Sequence, residues 1–400
     1  MTFLYLDNNA TTAVDPLVMA AMEQSYRDTP ANPASQHQAG QRARQAIETA
    51  RRAIASTLGA NLQNQQEQLL FTSGATESNN LALLGLAGAN PGKIVLSSIE
   101  HPSVLGPAEH LRRCGWDLQL ISVGSNGTIN LNHAAELITS DTRLVSVMLG
   151  NHETGVIQPV SELAAMCQSA GVALHTDATQ VVGKIPVDFN ALQVDSLSFS
   201  AHKFHGPAGI GGLLLKHNLD LRPVFHGGFQ QASYRPGRES PALATGMQHA
   251  LKIWSAAAET NEKQLAGCRD QFERQLQQRL PWIMVLCQAG PRLPHTSNIT
   301  FPGIDRQALM MALDQAGLAC STGSACASGS SDPSPVLVAM GLEDEVIHGA
   351  LRFSFGRFNR LRESSQAVEI IASTATRLRG SNPSGKMGSQ SPQQANKQLQ

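Results

Sequence analysis

The segment Ser200-Ala201-His202-Lys203-Phe204-His205-Gly206 sets a lysine just past a short apolar run, among small and polar neighbours. A lysine so placed, with its pKa lowered until the neutral amine exists, can form a Schiff base with an aldehyde. By itself such a residue is usually a solvated surface side chain. Upstream, His175-Thr176-Asp177-Ala178-Thr179-Gln180 closes another apolar run with an aspartate, which could keep a pyridine nitrogen protonated and make its ring an electron sink. Further upstream, Thr72-Ser73-Gly74-Ala75-Thr76-Glu77-Ser78-Asn79-Asn80 reads as a small-residue turn opening a helix, whose N–H groups and Thr76 hydroxyl suit a phosphate. Any Ser/Thr-rich helix cap looks similar. A phosphate cradle, an aspartate and a lysine on successive strand ends are together hard to explain as structure alone. The remaining candidate is Cys326, in Gly323-Ser324-Ala325-Cys326-Ala327-Ser328-Gly329-Ser330-Ser331. An average free cysteine is a buried small hydrophobe, but this small, polar stretch offers little to bury a thiol, and a thiolate is a nucleophile.

These groups need rigid elements to hold them. Lys93 to Ser98, Leu144 to Leu149, Val172 to Asp177 and Ser196 to Ser200 are short apolar or β-branched runs of the kind that form buried parallel strands. Helical patterns lie between them, such as Pro159 to Ala170 before a stop at Gly171. Repetition of strand, helix and strand implies an α/β sheet with right-handed crossovers, and ligands of such sheets sit beyond the C-terminal strand ends. A long helical stretch spans Leu251 to Leu280. The expected division is a large domain over 13–255 and a smaller α+β domain formed by 1–12 and 256–379. The latter carries a mobile catalytic loop at about 320–334, and a Gln/Ser/Asn/Gly/Pro-rich tail over 380–400 reads as disordered.

Composition removes several function classes. The formal net charge is −1, from 30 Lys+Arg against 31 Asp+Glu, which leaves no basic footprint for nucleic acid or an anionic membrane. Aromatic residues make up 4%, too few for a base-stacking platform. No apolar run approaches the ~20 residues of a membrane span, and Met1 to Asp7 lacks the features of a secretory signal. A soluble, cytoplasmic protein is expected. The six cysteines include no C-x-x-C pair, and the 13 histidines show no ligand spacing, so a metal centre is disfavoured.

The motifs Asp177-Ala178-Thr179-Gln180, Ser200-Ala201-His202-Lys203 and Thr72 to Glu77 resemble the cofactor motifs of class V aminotransferases, in the cysteine desulfurase (NifS/IscS-like) branch. Tyr5 to Thr12, Glu100-His101-Pro102-Ser103-Val104, Asn151-His152-Glu153-Thr154-Gly155, Gly323 to Cys326 and Leu351 to Gly356 fit the same family, in order along nearly the whole chain. The resemblance implies the pyridoxal 5′-phosphate transferase fold of type I, with a mainly parallel central sheet flanked by helices and a smaller α+β domain. It implies that Lys203 binds the cofactor aldehyde, Asp177 pairs with the pyridine nitrogen and Gln180 contacts the ring hydroxyl. His101 would stack on the ring and act as acid and base. Ala75, Thr76, Ser200 and His202 would hold the phosphate. Asn151 would orient the amino acid and contact the cofactor, and Arg352 would clamp the substrate carboxylate as a planar bidentate donor. Cys326 would take sulfur from L-cysteine as a persulfide, leaving alanine, and pass it to a protein acceptor serving iron–sulfur clusters, thio-cofactors or tRNA modification. The family also implies a homodimer, with no direct nucleic-acid or membrane partner.

The chain departs from the family at three places. Arg238 stands where a threonine usually reaches the partner subunit's phosphate site, His152 replaces the second asparagine of Asn-Asn-Glu, and Ala208 follows Pro207 in place of a lysine. Cys320 matches no family cysteine and is either inert or a resolving thiol for Cys326. Selenocysteine lyase, cysteine-sulfinate desulfinase and aminotransferase activities share the fold, and the Cys326 segment favours persulfide chemistry over them. A non-enzymatic regulator on a decayed fold is disfavoured by the intact set Lys203, Asp177, His101 and Arg352.

Overall fold

β-Branched and leucine-rich runs of five or six residues, several of them followed by a helix, build the central layer of the chain. The computed structural model describes residues 3–63, 67–217, 219–323 and 332–380. Among these the strands are β1 (Leu4–Tyr5), β2 (Glu67–Thr72), β3 (Lys93–Ser97), β4 (Asp117–Ile121), β5 (Thr142–Ser146), β6 (Ala173–Asp177), β7 (Ser196–Ser200), β8 (Gly211–Lys216), β9 (Met284–Val285), β10 (Thr296–Thr300), β11 (Leu318–Ala319) and β12 (Ala350–Ser354). Seven of them form one sheet in the order β2-β8-β7-β6-β5-β3-β4. The pairs β7–β6, β6–β5, β5–β3 and β3–β4 are parallel, while β8 runs antiparallel to both β7 and β2. The fold is α/β with a mostly parallel central sheet.

The four expected strands are present, with one shift. The run Leu144 to Leu149 leaves the ladder at Ser146, and beyond it Val147 and Leu149 keep single backbone bonds to the carbonyls of His175 and Asp177, at 3.2 and 2.9 Å. The helix before β6 spans Val160–Ala170 and stops at Gly171, whose φ of 67° is left-handed. The stretch Leu251 to Leu280 is not one helix. It divides into Pro241–Ser255 and Ala258–Arg279, with Ala257 at a non-helical φ of −138°. The break lets the two pieces serve different cores. Ala244, Met247, Ala250 and Leu251 pack into the cluster on the large sheet, whereas Leu265, Cys268, Phe272 and Leu276 join a second cluster with Leu6, Phe353 and Ile371.

That second cluster is built on the three-stranded sheet β12-β10-β9 and on β1, which pairs parallel with β11. The N-terminal residues are thereby tied to chain more than 300 positions away, and Asp7 bridges to Ser354. The final helix, Leu361–Gly380, covers this sheet. The expected tail lies, past Gly380, outside the described residues, as does Cys326. No helix among the described residues is long and apolar enough to cross a membrane.

Candidate active site

A cavity of about 580 Å³ opens at the C-terminal ends of the central strands, within the range typical of small-molecule sites. Lys203 reaches it from the short 3₁₀ turn Ala201–Lys203 that follows β7. Its Nζ donates to the carbonyls of Asn9 and Ala10, at 2.5 and 2.9 Å. The N-terminal segment thus supplies the acceptors that aim the amine.

Asp177 ends β6 and lines the same cavity. Its Oδ2 accepts from Asn79 Nδ2 at 2.8 Å and its Oδ1 from Thr179 N at 2.9 Å. Two residues back on the same strand, His175 is fully buried between Ser146 Oγ at 2.8 Å and Ser198 Oγ at 2.9 Å, and burial lowers its pKa to about 4. This interior histidine stays neutral, so the aspartate is held by neutral dipoles and has no cation beneath it.

His101 caps the helix Pro102–Arg113, its Nδ1 accepting from Ser103 N at 3.1 Å and lying 2.8 Å from Ser103 Oγ. The backbone bond places the lone pair on Nδ1 and therefore the proton of the neutral ring on Nε2. Burial pushes the His101 pKa down, with Lys203 and Arg352 adding to the shift against the opposing pull of Asp177. The ring meets His152 edge-on, centroids 5.2 Å apart at 81°. His152 is held well below its ordinary pKa by burial and by His101, Arg352 and Lys203.

Arg352 enters from β12 and is 3% exposed. Its Nη2 pairs with Asp7 Oδ1 at 2.8 Å and its Nη1 donates to the His152 carbonyl at 3.0 Å, while the buried Nε has no partner. One N–H on each terminal nitrogen remains uncommitted for a ligand carboxylate.

The residues fit pyridoxal phosphate. The helix Ala75–Leu86 starts at Gly74 with no side-chain cap, so the N–H groups of its first turn remain available to an anion. Ala75, Thr76, Ser200 and His202 line the cavity around that turn. Thr72 Oγ1 and Ser78 Oγ, 2.8 Å apart, pin the turn, and β8 passes so close beneath that a Cβ on Gly211 would lie 2.6 Å from Gly74. Burial, with Lys203, lowers the His202 pKa to about 4, leaving a neutral donor or acceptor there. Gln180 donates to Asn9 O at 3.1 Å, and both its Oε1 and Thr179 Oγ1 are buried without a partner in the cavity wall.

Asn151 departs from expectation, and the placements of Arg238 and Cys320 bear on readings that the sequence left open. Asn151 does not line the cavity. Its Oδ1 is consumed by Glu153 N, Thr154 N and Thr154 Oγ1, at 2.9 to 3.2 Å, and its Nδ2 by the Ile99 carbonyl at 3.3 Å. It orients the turn that displays His152, not a bound ligand. Arg238 is exposed on the turn after Pro236 and lies outside this cavity. Burial, then Asp7, pushes the Cys320 thiol far up, so it stays protonated and is a poor nucleophile for relaying sulfur. Sequence reading missed Asn79 and the Glu77–Arg235 pair. Burial opposes the Glu77 charge, but hydrogen bonds from Arg235 at 2.7 Å and Ser73 N at 2.7 Å prevail and hold its carboxyl below the usual range. Both acidic and amide residues sat inside the quoted helix-opening motif, but their partners lie 98 and 158 positions away.

The sequence matches the family described as aminotransferase class-V over residues 4–365. It is 39% identical over 388 residues to a cysteine desulfurase of Enterobacter agglomerans, covering 96% of this chain and 95% of that protein. It is 38% identical over 383 residues to a cysteine desulfurase of Sinorhizobium fredii, covering 95% and 98%. The X-ray structure of a NifS-like protein from Rickettsia africae superposes with a TM-score of 0.85 at 31% identity, covering 94% of this chain and 99% of that one.

Proposed function

We infer that this chain, which belongs to the class V aminotransferase family, is a pyridoxal-phosphate-dependent cysteine desulfurase that converts L-cysteine to L-alanine and takes the sulfur as a persulfide on Cys326. The observation that carries this reading is the convergence of the Lys203 amine, the Asp177 carboxylate, the His101 ring and the Arg352 guanidinium on one cavity. When bound, pyridoxal phosphate supplies an aldehyde that captures amines and a protonated ring that stores an electron pair.

The chain's own residues do the rest. Asp177, held by Asn79 and Thr179 N, would keep a proton on the ring nitrogen of the bound cofactor. The first-turn N–H groups of Ala75 and Thr76, with Ser200 and His202, would hold the phosphate, and Gln180 would meet the ring hydroxyl. Arg352 would fork the cysteine carboxylate with the uncommitted N–H of each terminal nitrogen. The Lys203 amine or His101 at Nε2 would remove and return protons at the substrate carbons. The Cys326 thiolate attacks the substrate sulfur, so an S–S bond forms as the C–S bond breaks and its electron pair returns to the carbon skeleton that becomes alanine.

The exposed Arg238 is read as reaching the phosphate site of the partner subunit in a homodimer. The two core clusters support a large domain over 13–255 and a small one from 1–12 and 256–379. The working place is the cytoplasm, and the sulfur acceptor is a protein. Incubating the purified holoenzyme with L-cysteine should yield alanine and a persulfide at Cys326 by mass spectrometry, and Cys326→Ala should abolish sulfide release. Undiminished cysteine turnover in that variant refutes the assignment.

A further inference from the structure

Both ends of the segment that carries Cys326 meet one buried carboxylate. Ser334 donates from Oγ to Glu153 Oε2 at 2.6 Å, and the same Oγ caps the helix Pro335–Ala339 by accepting from Leu337 N at 3.2 Å. On the other side Gly323, at φ 87°, sits so near that an added Cβ would lie 2.5 Å from Glu153 Oε2. Each end has a second tie. Arg306 donates to the Asp332 carbonyl, and Ser321 exchanges backbone bonds with Arg352, at 3.1 and 2.7 Å.

Glu153 is 1% exposed and does not line the cavity, yet it stands directly behind it. Its Oε1 is 3.6 Å from Nε2 of His152, whose ring does line the cavity and meets His101 edge-on. Its own backbone is fixed, N to Asn151 Oδ1 at 2.9 Å and O from Asn298 Nδ2 at 3.3 Å. Contacts therefore run without a gap from His101 through His152 and Glu153 to Gly323 and Ser334.

We propose that Glu153 is a positioning residue that pins both ends of the Cys326 segment beside the cavity and thereby sets how fast the Cys326 sulfur reaches bound L-cysteine. This rests on Cys326 being the sulfur acceptor. Attack on sulfur needs the two atoms in near-attack geometry, and a displacement of about 1 Å costs on the order of 100-fold in rate. Because Glu153 touches neither ligand nor cofactor pocket, its loss should separate sulfur transfer from cysteine binding.

The test uses holoenzyme with L-cysteine, following the cysteine-induced absorbance change for binding and the intact mass of Cys326 for persulfide in a single turnover. In Glu153→Ala the dissociation constant for cysteine should stay within about threefold while persulfide formation slows about 10- to 100-fold. Glu153→Gln keeps an acceptor for Ser334 and should restore most of the rate. Gly323→Ala, which drives a Cβ against Glu153, should slow persulfide formation in the same way, and carries the test if Glu153→Ala does not fold. Wild-type persulfide formation in both alanine variants, or cysteine binding and persulfide formation lost in equal proportion, overturns the proposal. A wild-type enzyme that turns over cysteine with no Cys326 persulfide overturns the acceptor assignment and this inference with it, and that control tells the two failures apart.

Discussion

Arg352→Lys isolates the carboxylate clamp. In the structure two of the five guanidinium N–H groups are committed, one to Asp7 at 2.8 Å and one to the His152 carbonyl at 3.0 Å, and the buried Nε–H is unpaired. The remaining N–H on each terminal nitrogen is thus left to hold one oxygen of the cysteine carboxylate. A lysine keeps the charge but presents a single point donor and forfeits one arm of the fork. A charge-assisted hydrogen bond contributes about 1.5–3 kcal/mol, which at about 1.4 kcal/mol per tenfold is about a 10- to 150-fold fall in kcat/KM. The carboxylate is held equally before and during reaction, so the loss should appear mainly as a raised KM with kcat nearly kept. Steady-state alanine formation across cysteine concentrations measures it, with cofactor content and melting midpoint as checks on the Asp7 contact. A variant whose kcat/KM stays within about threefold of wild type, or whose loss lies wholly in kcat, refutes the clamp.

Asn79→Leu removes the amide donor from the Asp177 carboxylate while filling similar space, so cofactor affinity should fall about 5- to 30-fold, read by titration of apoenzyme with pyridoxal phosphate; unchanged affinity would show that Asp177 needs no such support. Stability should also fall on acidification. His175, His202 and His205 each have a folded pKa lowered to about 4 by burial, so between about pH 6.5 and 4 the unfolded chain binds protons that the folded one does not. Stability is fully present above pH 6.5 and declines as pH drops through that window. A melting midpoint flat from pH 7 to 4.5 contradicts this reading, and His175→Asn should lessen the slope.

The local signals were legible because they are local. Short β-branched runs, the Gly171 stop and the turn at Gly74 depend on backbone preferences that neighbours in sequence dictate, and four strands and the helix-opening turn were readable on that ground. Lys203 and Asp177 were likewise identifiable, since strand ends in an α/β sheet converge on one crevice, whereas Arg352, inside β12, was named only through the family resemblance. Tertiary structure decided what those residues are bonded to. Asn151 sits at a strand end like the others, yet its side chain turns inward because the Asn151–Thr154 turn leaves three donors that need an acceptor. The split at Ala257 follows from two separate cores competing for one helical pattern, which periodicity alone does not reveal. Asn79 under Asp177, Asp7 against Arg352 and Glu153 between Gly323 and Ser334 join residues 98 to 345 positions apart, and the last of these joins 181. Hydrogen bonds are short and directional, so only the folded chain decides which of the available donors and acceptors meet.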